Sequence, residues 1–254
     1  MSTPKSTVIV EQYKAAATAP AGTNSYGNLR IHALPGLHTF LATLITKHVQ
    51  RGAAVLDLAA GSGAMSMRLK DLGYSVHASD YVTENFRPQD IPFTQANLND
   101  DFARRFNAAN FQAIVASEIV EHLENPRHFL RQCHLVLEPD GIVVLSTPNL
   151  QSSGSLASFI RSGEFLWFSD SDYKIQGHIT PLTSWQIGHC LREAKFRPLW
   201  IGSFGTGSSK IAGSPRLKML ARIIEIFSAA PASMNGEVFV CIAQKDSTVS
   251  NGEA

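Results

Sequence analysis

Apolar residues along this chain switch between two spacings. Short, nearly continuous apolar runs recur at Val55–Leu58, Ser75–Ser79, Phe93–Ala96, Ala113–Ser117, Gly141–Ser146, Arg197–Gly202 and Glu237–Ala243. Runs of this length read as strands with both faces buried, as in a parallel sheet. Leu37–Val49 instead places Leu37, Phe40, Leu41, Leu44 and Ile45 on one helical face, which predicts a helix covering the sheet ahead of the first strand. Ser62–Leu72 predicts a helix after a glycine turn, and Asn125-Pro126 reads as an N-cap followed by proline at the first helical position. Strand and helix signals alternate, so the fold class is α/β, a doubly wound sheet of seven strands with helices on both faces.

The first strand carries the most chemistry. Ala53-Ala54-Val55-Leu56-Asp57-Leu58-Ala59-Ala60-Gly61-Ser62-Gly63 runs from apolar strand to acid to glycine turn. The glycines let backbone approach a ligand closely. A dinucleotide and S-adenosylmethionine both fit this outline. A carboxylate aimed into the turn repels a pyrophosphate, but suits a ligand carrying an ammonium and a sulfonium. Ser66 also stands where a dinucleotide fingerprint wants its third glycine or alanine, a weaker argument in the same direction. The second strand ends in Asp80, 23 residues after Asp57, where an acid accepts hydrogen bonds from ribose hydroxyls.

With these residues in order, the chain resembles the class I S-adenosylmethionine-dependent methyltransferases, from about Val55 to Arg197. The resemblance rests on Asp57 to Gly63, with Ala59 at the family's first glycine; on Asp80; on Gln95-Ala96-Asn97-Leu98-Asn99; on Ser117-Glu118-Ile119-Val120-Glu121-His122-Leu123; and on Leu137-Glu138-Pro139-Asp140-Gly141. It implies a Rossmann-like, mostly parallel sheet whose last strand is antiparallel. It also implies S-adenosylmethionine as cofactor, held by Asp57, Ala59, Gly61, Ser62, Gly63, Asp80, Tyr81, Asn97, Leu98, Ser117 and Glu118. Asn97 would accept from the adenine amino group through its side-chain oxygen. The branch it resembles acts in polysaccharide and quinone pathways.

At 254 residues the chain has the length of one domain. The reading divides it into an N-terminal lid and covering helix over 1–50, a cofactor core over 51–150, a substrate side with the last strands over 151–245, and a polar tail over 246–254. A net charge of +1 with 17% charged residues offers no basic field for nucleic acid. Cys133, Cys190 and Cys241 are scattered and odd in number, and neither a signal peptide nor a membrane span is apparent, so a cytoplasmic location is expected.

Three segments fall outside the cofactor scaffold. Tyr13–Pro35 would lid the cofactor, with Arg30 meeting its carboxylate or an anionic substrate; a surface loop is the plainer reading. Gln151–Thr180 opens on a flexible Ser152-Ser153-Gly154-Ser155 and gathers Phe165, Leu166, Trp167, Phe168 and Tyr173, with Trp167 and Tyr173 as substrate contacts. Pro215–Ala230 shows a broad apolar stripe that packs on the sheet or makes a homodimer face or lipid groove.

Methyl transfer needs alignment and, for a hydroxyl acceptor, removal of a proton. Glu118, Glu121, His122 and His178 are the choices of base, with His122 and His178 preferred and His122 expected to titrate near neutrality. Glu118 and His122, four residues apart, followed by His128 and His134, raise a metal; their six-residue spacing splays the histidines, and no metal is expected. The function expected is O-methylation of a small molecule, a sugar or a lipid-linked intermediate. The alternatives are a non-catalytic cofactor-binding scaffold and a nicotinamide-dependent oxidoreductase.

Overall fold

The computed structural model describes residues 24–106, 111–205, 209–229 and 231–246. The polar tail from 247 on and the lid segment before Asn24 lie outside the described residues.

A small antiparallel ribbon, β1 (Ser25–Tyr26) and β2 (Leu29–Arg30), precedes α1 (Leu37–His48). The main elements then follow in the expected alternation: β3 (Ala54–Leu58), α2 (Ala64–Asp71), β4 (Ser75–Asp80), β5 (Phe93–Gln95), β6 (Phe111–Ala116), α3 (Pro126–Val136) and β7 (Leu137–Pro148). The second half adds α4 (Ser153–Ser162), α5 (Asp170–Gln176), α6 (Ser184–Glu193), β8 (Phe196–Phe204), α7 (Pro215–Phe227) and β9 (Val238–Lys245). Seven strands form one sheet in the order β5-β4-β3-β6-β7-β9-β8. β9 alone runs antiparallel, and it is paired on both sides.

Period-two alternation sends each strand's neighbours to opposite faces. Leu56, Leu58, Ile114, Ala116, Val143 and Leu145 meet Phe129, Leu130 and Cys133 of α3 and Leu191 of α6. Val55, Ala113, Val115, Ile142 and Val144 meet Leu37, Leu41 and Ile45 of α1 and Leu69 of α2 on the other side. Both layers are dry, which is why the strands read as unbroken apolar runs. Burying one such Leu or Ile side chain stabilises by about 1.5–3 kcal/mol.

The helix starts follow the sequence where side chains cap them. Asn125 accepts from the His128 amide at 3.0 Å and Pro126 occupies the first turn of α3. Two expectations for the second half need correction. Ser152–Ser155 is no flexible turn: Ser152 caps α4 and Ser153, Gly154 and Ser155 are buried in it, the Ser155 hydroxyl accepting from Leu166. α7 packs on α4 and not on the sheet, because the apolar surface its inner face covers is the one that α4 and the loop after it present. Its inner residues Leu217, Leu220, Ala221 and Ile224 meet Ala157, Leu166 and Ile211. Phe227, which shares a helical face with Leu217, Leu220 and Ile224 in the sequence, is nevertheless 84% exposed, and Met219, Ile223 and Ile226 also face outward.

The strand order places a switch point between β3 and β6, where the chain leaves β3 toward one edge and returns at β6 toward the other. Crevices beyond the carboxyl ends of strands at such a point are where open α/β sheets take ligands.

Candidate functional site

The turn after β3 is shaped by left-handed backbone. Ala59, Gly61 and Gly63 have φ of 60°, 54° and 88°. Alanine at the family's first glycine therefore carries more than an extra methyl, since a left-handed alanine is strained by about 1–2 kcal/mol. Nothing lies within 4 Å of where a Cβ on Gly61 would sit, while a Cβ on Gly63 would meet Pro88 Cδ at 2.6 Å and Phe86 at 2.9 Å. Ser62 donates its hydroxyl to the Arg30 carbonyl at 2.6 Å, fastening the N-terminal ribbon to the glycine turn.

Asp57 is 2% exposed and accepts a hydrogen bond from Ser66 at 2.5 Å. Burial pushes its carboxyl up to about 7, with the Ser66 hydroxyl holding it lower than burial alone would. Ser66, which entered the reading only as a missing glycine, is thus the partner of the buried acid. It sits one helical turn into α2, close enough to reach back to β3. Asp80 accepts from the Gly61 amide at 2.8 Å and the Val82 amide at 2.9 Å, one on each oxygen. Burial raises its pKa, and these amides oppose the rise. The Tyr81 amide adds a third bond, and a carboxylate's four lone pairs still leave room for a hydroxyl.

Asn97 Oδ1 accepts from the Asn99 amide at 3.2 Å and keeps a second lone pair, while its Nδ2 is buried without a partner. Leu98 turns its side chain into the core, leaving only backbone to face a ligand. Tyr81 is 41% exposed beyond β4.

At the end of β6, Ser117 and Glu118 meet Ser146 of β7. The Glu118 amide donates to the Ser146 carbonyl and hydroxyl at 3.2 and 3.1 Å, and the Ser146 hydroxyl donates to Glu118 Oε1 at 2.8 Å. Glu118 itself has φ of 50°. Its carboxyl is pushed up to about 7 by burial. Ser146 was not singled out from sequence. The available signal was positional: Ala116 pairs with Leu145, so Ser117, just past the end of β6, lies level with Ser146 in β7.

Beyond Glu118, the chain delivers Glu121 and His122 in a short 3-10 turn, Val120–His122. His178 joins them from the turn after α5. The His122 and His178 rings lie 4.7 Å apart, edge to face, and His122 Nε2 is 3.8 Å from Glu121 Oε1. Main-chain bonds tie the segments, the Ile179 and Thr180 amides both donating to the Glu121 carbonyl at 2.9 Å. His178 Nδ1 is 2.6 Å from the Trp167 carbonyl. Burial lowers both imidazoles, His122 to about 3, so the expected titration of His122 near neutrality does not hold: the ring is neutral at physiological pH. Burial and the nearby Glu118 charge raise Glu121 well above the ordinary carboxylate range.

The other named residues are dispersed. His128 faces Asp101 and His134 stacks edge-on against Phe196, so neither approaches Glu118 or His122. Trp167 lies under the Lys210 ammonium at 4.0 Å, and Tyr173 is 53% exposed on α5. Among the described residues no helix is long and apolar enough to cross a membrane.

Comparison with known proteins accords with this geometry. The family described as "Methyltransferase domain" matches residues 30–199, more than half of the chain. The mitochondrial ubiquinone biosynthesis O-methyltransferase of Rattus norvegicus is 29% identical over 137 residues, 46% of this chain and 39% of that protein. The ubiquinone biosynthesis O-methyltransferase of Ruegeria pomeroyi is 28% identical over 156 residues, 58% of this chain and 61% of that protein. The matches thus span about half the length of these relatives. A solved SAM-dependent methyltransferase from Archaeoglobus fulgidus superposes with a TM-score of 0.56 at 17% identity, covering 82% of this chain and 94% of that one. One from Mesorhizobium loti gives 0.55 at 17% identity, covering 82% and 96%. The glycine turn, the two strand-end acids and the family match over residues 30–199 together make the chain a member of the class I S-adenosylmethionine-dependent methyltransferases.

Proposed function

We propose that the chain transfers the methyl group of S-adenosylmethionine to a hydroxyl oxygen on a small acceptor, including sugar- or lipid-linked ones. The observation that carries this is the buried Glu121, His122 and His178 group just past the end of β6, beside the crevice where the cofactor methyl belongs. The relatives named as O-methyltransferases of ubiquinone biosynthesis support an oxygen acceptor.

The cofactor supplies an already activated methyl on a cationic sulfur. The acceptor oxygen forms a bond to that carbon while the carbon–sulfur bond breaks, the pair going to sulfur. What remains for the protein is alignment and the hydroxyl proton. In this reading Asp57, Ala59, Gly61, Ser62, Gly63, Asp80, Tyr81, Asn97, Leu98, Ser117 and Glu118 border the cofactor. Arg30, Trp167 and Tyr173 border the acceptor. The Trp167 carbonyl holds the proton on His178 Nδ1, which leaves Nε2 with a lone pair to receive the acceptor's proton, directly or through His122. Three buried free thiols fit a reducing, cytoplasmic setting, and the outward residues of α7 support a homodimer contact.

Incubation with methyl-labelled S-adenosylmethionine and a panel of phenols, catechols and glycosides tests the reading. Labelled O-methyl product is expected, and His178→Ala should lower turnover by about 100-fold with little change in cofactor affinity. Cofactor binding without transfer to any acceptor in the panel or in a cell extract would favour the scaffold alternative.

A further inference from the structure

Glu121, His122 and His178 bring one carboxylate oxygen and two ring nitrogens within 4.8 Å of one another. Three features mark this as more than packing. Glu121 is 1% exposed and its buried Oε2 has no partner at hydrogen-bond geometry, although the Thr147 hydroxyl faces the carboxyl, an arrangement that proteins seldom keep without something to satisfy it. Among the described residues no lysine or arginine pairs with this carboxylate, and the charge that acts on it is that of Glu118, of the same sign.

The imidazoles are braced from behind. His178 Nδ1 donates to the Trp167 carbonyl, which directs the Nε2 lone pair inward, and the carbonyls of Gly177 and Gln176 hydrogen-bond the His122 ring. A main-chain carbonyl behind the far ring nitrogen is the usual support of a metal-bound histidine. The two segments supplying the ligands are also clamped together. Besides the two amides on the Glu121 carbonyl, the Thr180 hydroxyl donates to the Leu123 carbonyl.

We propose that Glu121, His122 and His178 form a binding site for a divalent first-row transition ion of the Zn2+ type, with a further position open to the acceptor's oxygen. Two imidazoles and one carboxylate suit such an ion, whereas Mg2+ and Ca2+ ask for oxygen ligands alone. Ligands about 2.0–2.2 Å from a tetrahedral ion stand roughly 3.3 Å apart, so the set need close by only about 1.5 Å, within reach of side-chain rotation. Glu118 is not a ligand, because its carboxylate is turned to Ser146. The ion's part in catalysis rests on the O-methylation reading: with the His178 Nε2 lone pair on the ion, it would lower the pKa of a bound hydroxyl and so take the place of the histidine base given above. The binding itself does not rest on that reading.

The test is made on the full chain, stripped by chelator and without cofactor or acceptor. Titration with Zn2+ against a chromophoric competitor should give one ion per chain. His178→Ala and Glu121→Gln should each weaken it at least 100-fold, while His128→Ala leaves it unchanged. Since either variant can misfold, Co2+ is added to the wild type as well. One equivalent should develop the visible absorption of a four- or five-coordinate ion, and Zn2+ should displace it. Absence of stoichiometric binding, or binding indifferent to both substitutions in folded variants, overturns the site. A chain that binds the ion yet methylates nothing would overturn the proposed function and leave the ion site standing.

Discussion

Asp57 shows what a single buried acid does to this chain. Its folded-state pKa, about 7, lies above the unfolded value of 3.8, so the folded state holds the proton more tightly. Stability therefore falls as pH rises from the unfolded value to the folded one, by about 4 kcal/mol in all, and is level above. Asp57→Asn retains an acceptor for Ser66 without the charge. The variant should exceed wild type in stability by about 3 kcal/mol more at pH 8 than at pH 5, read by urea unfolding, while binding S-adenosylmethionine more weakly. An equal difference at both pH values would remove desolvation as the cause. Asp57 and Asp80 were legible in the sequence because each ends a strand. Ser66 and Ser146 were not, since their importance depends on which face of a helix or which strand neighbour meets the acid. Asn97 was legible as a position, but the local turn in which its oxygen accepts from the Asn99 amide was not.

The glycine turn separates two roles that sequence treats as one. At Gly63 a methyl group would press into the Pro88 and Phe86 rings, with φ of 88° adding backbone strain. Gly63→Ala should cost about 2–4 kcal/mol of stability, from the left-handed backbone and the overpacking together. Gly61→Ala meets nothing within 4 Å, so it should cost only about 1 kcal/mol, yet it places the methyl where the cofactor would approach. Denaturant unfolding and calorimetric binding, measured on both variants, should rank them in opposite order; the same order in both assays would refute this division. Elements buried on both faces, such as β3 and β6, were legible as apolar runs. α4 and α5 were not, because a serine-rich start reads as a loop until Ser152 is seen capping a helix. α7 was legible as a helix, but its packing partner was α4, itself hidden behind the serine-rich start.

The whole molecule is a scaffold that gathers distant segments at the carboxyl ends of the central strands. The ribbon reaches the glycine turn through Ser62, β4 reaches it through Asp80, and β6 and β7 are joined there by Glu118 and Ser146. The alternation of strand and helix made this architecture legible, but not the reversal of β9, whose apolar run looks the same in either direction; that came from family resemblance. A ligand held by these segments stabilises all of them together. S-adenosylmethionine at 100 times its dissociation constant should add about 2.7 kcal/mol if it binds only the folded chain. For a chain of this size that is a rise in Tm of roughly 5–10 °C. Its demethylated product should act alike, since in the proposed binding mode the acids and amides at the turn face ribose and amino acid and not the methyl. NAD and NADP should give no rise, because their pyrophosphate would lie at the start of α2 beside the Asp57 and Asp80 carboxylates. Thermal unfolding with each of the four ligands at matched concentration decides the matter: a rise with NAD equal to that with S-adenosylmethionine would mean that these acids do not select the cofactor.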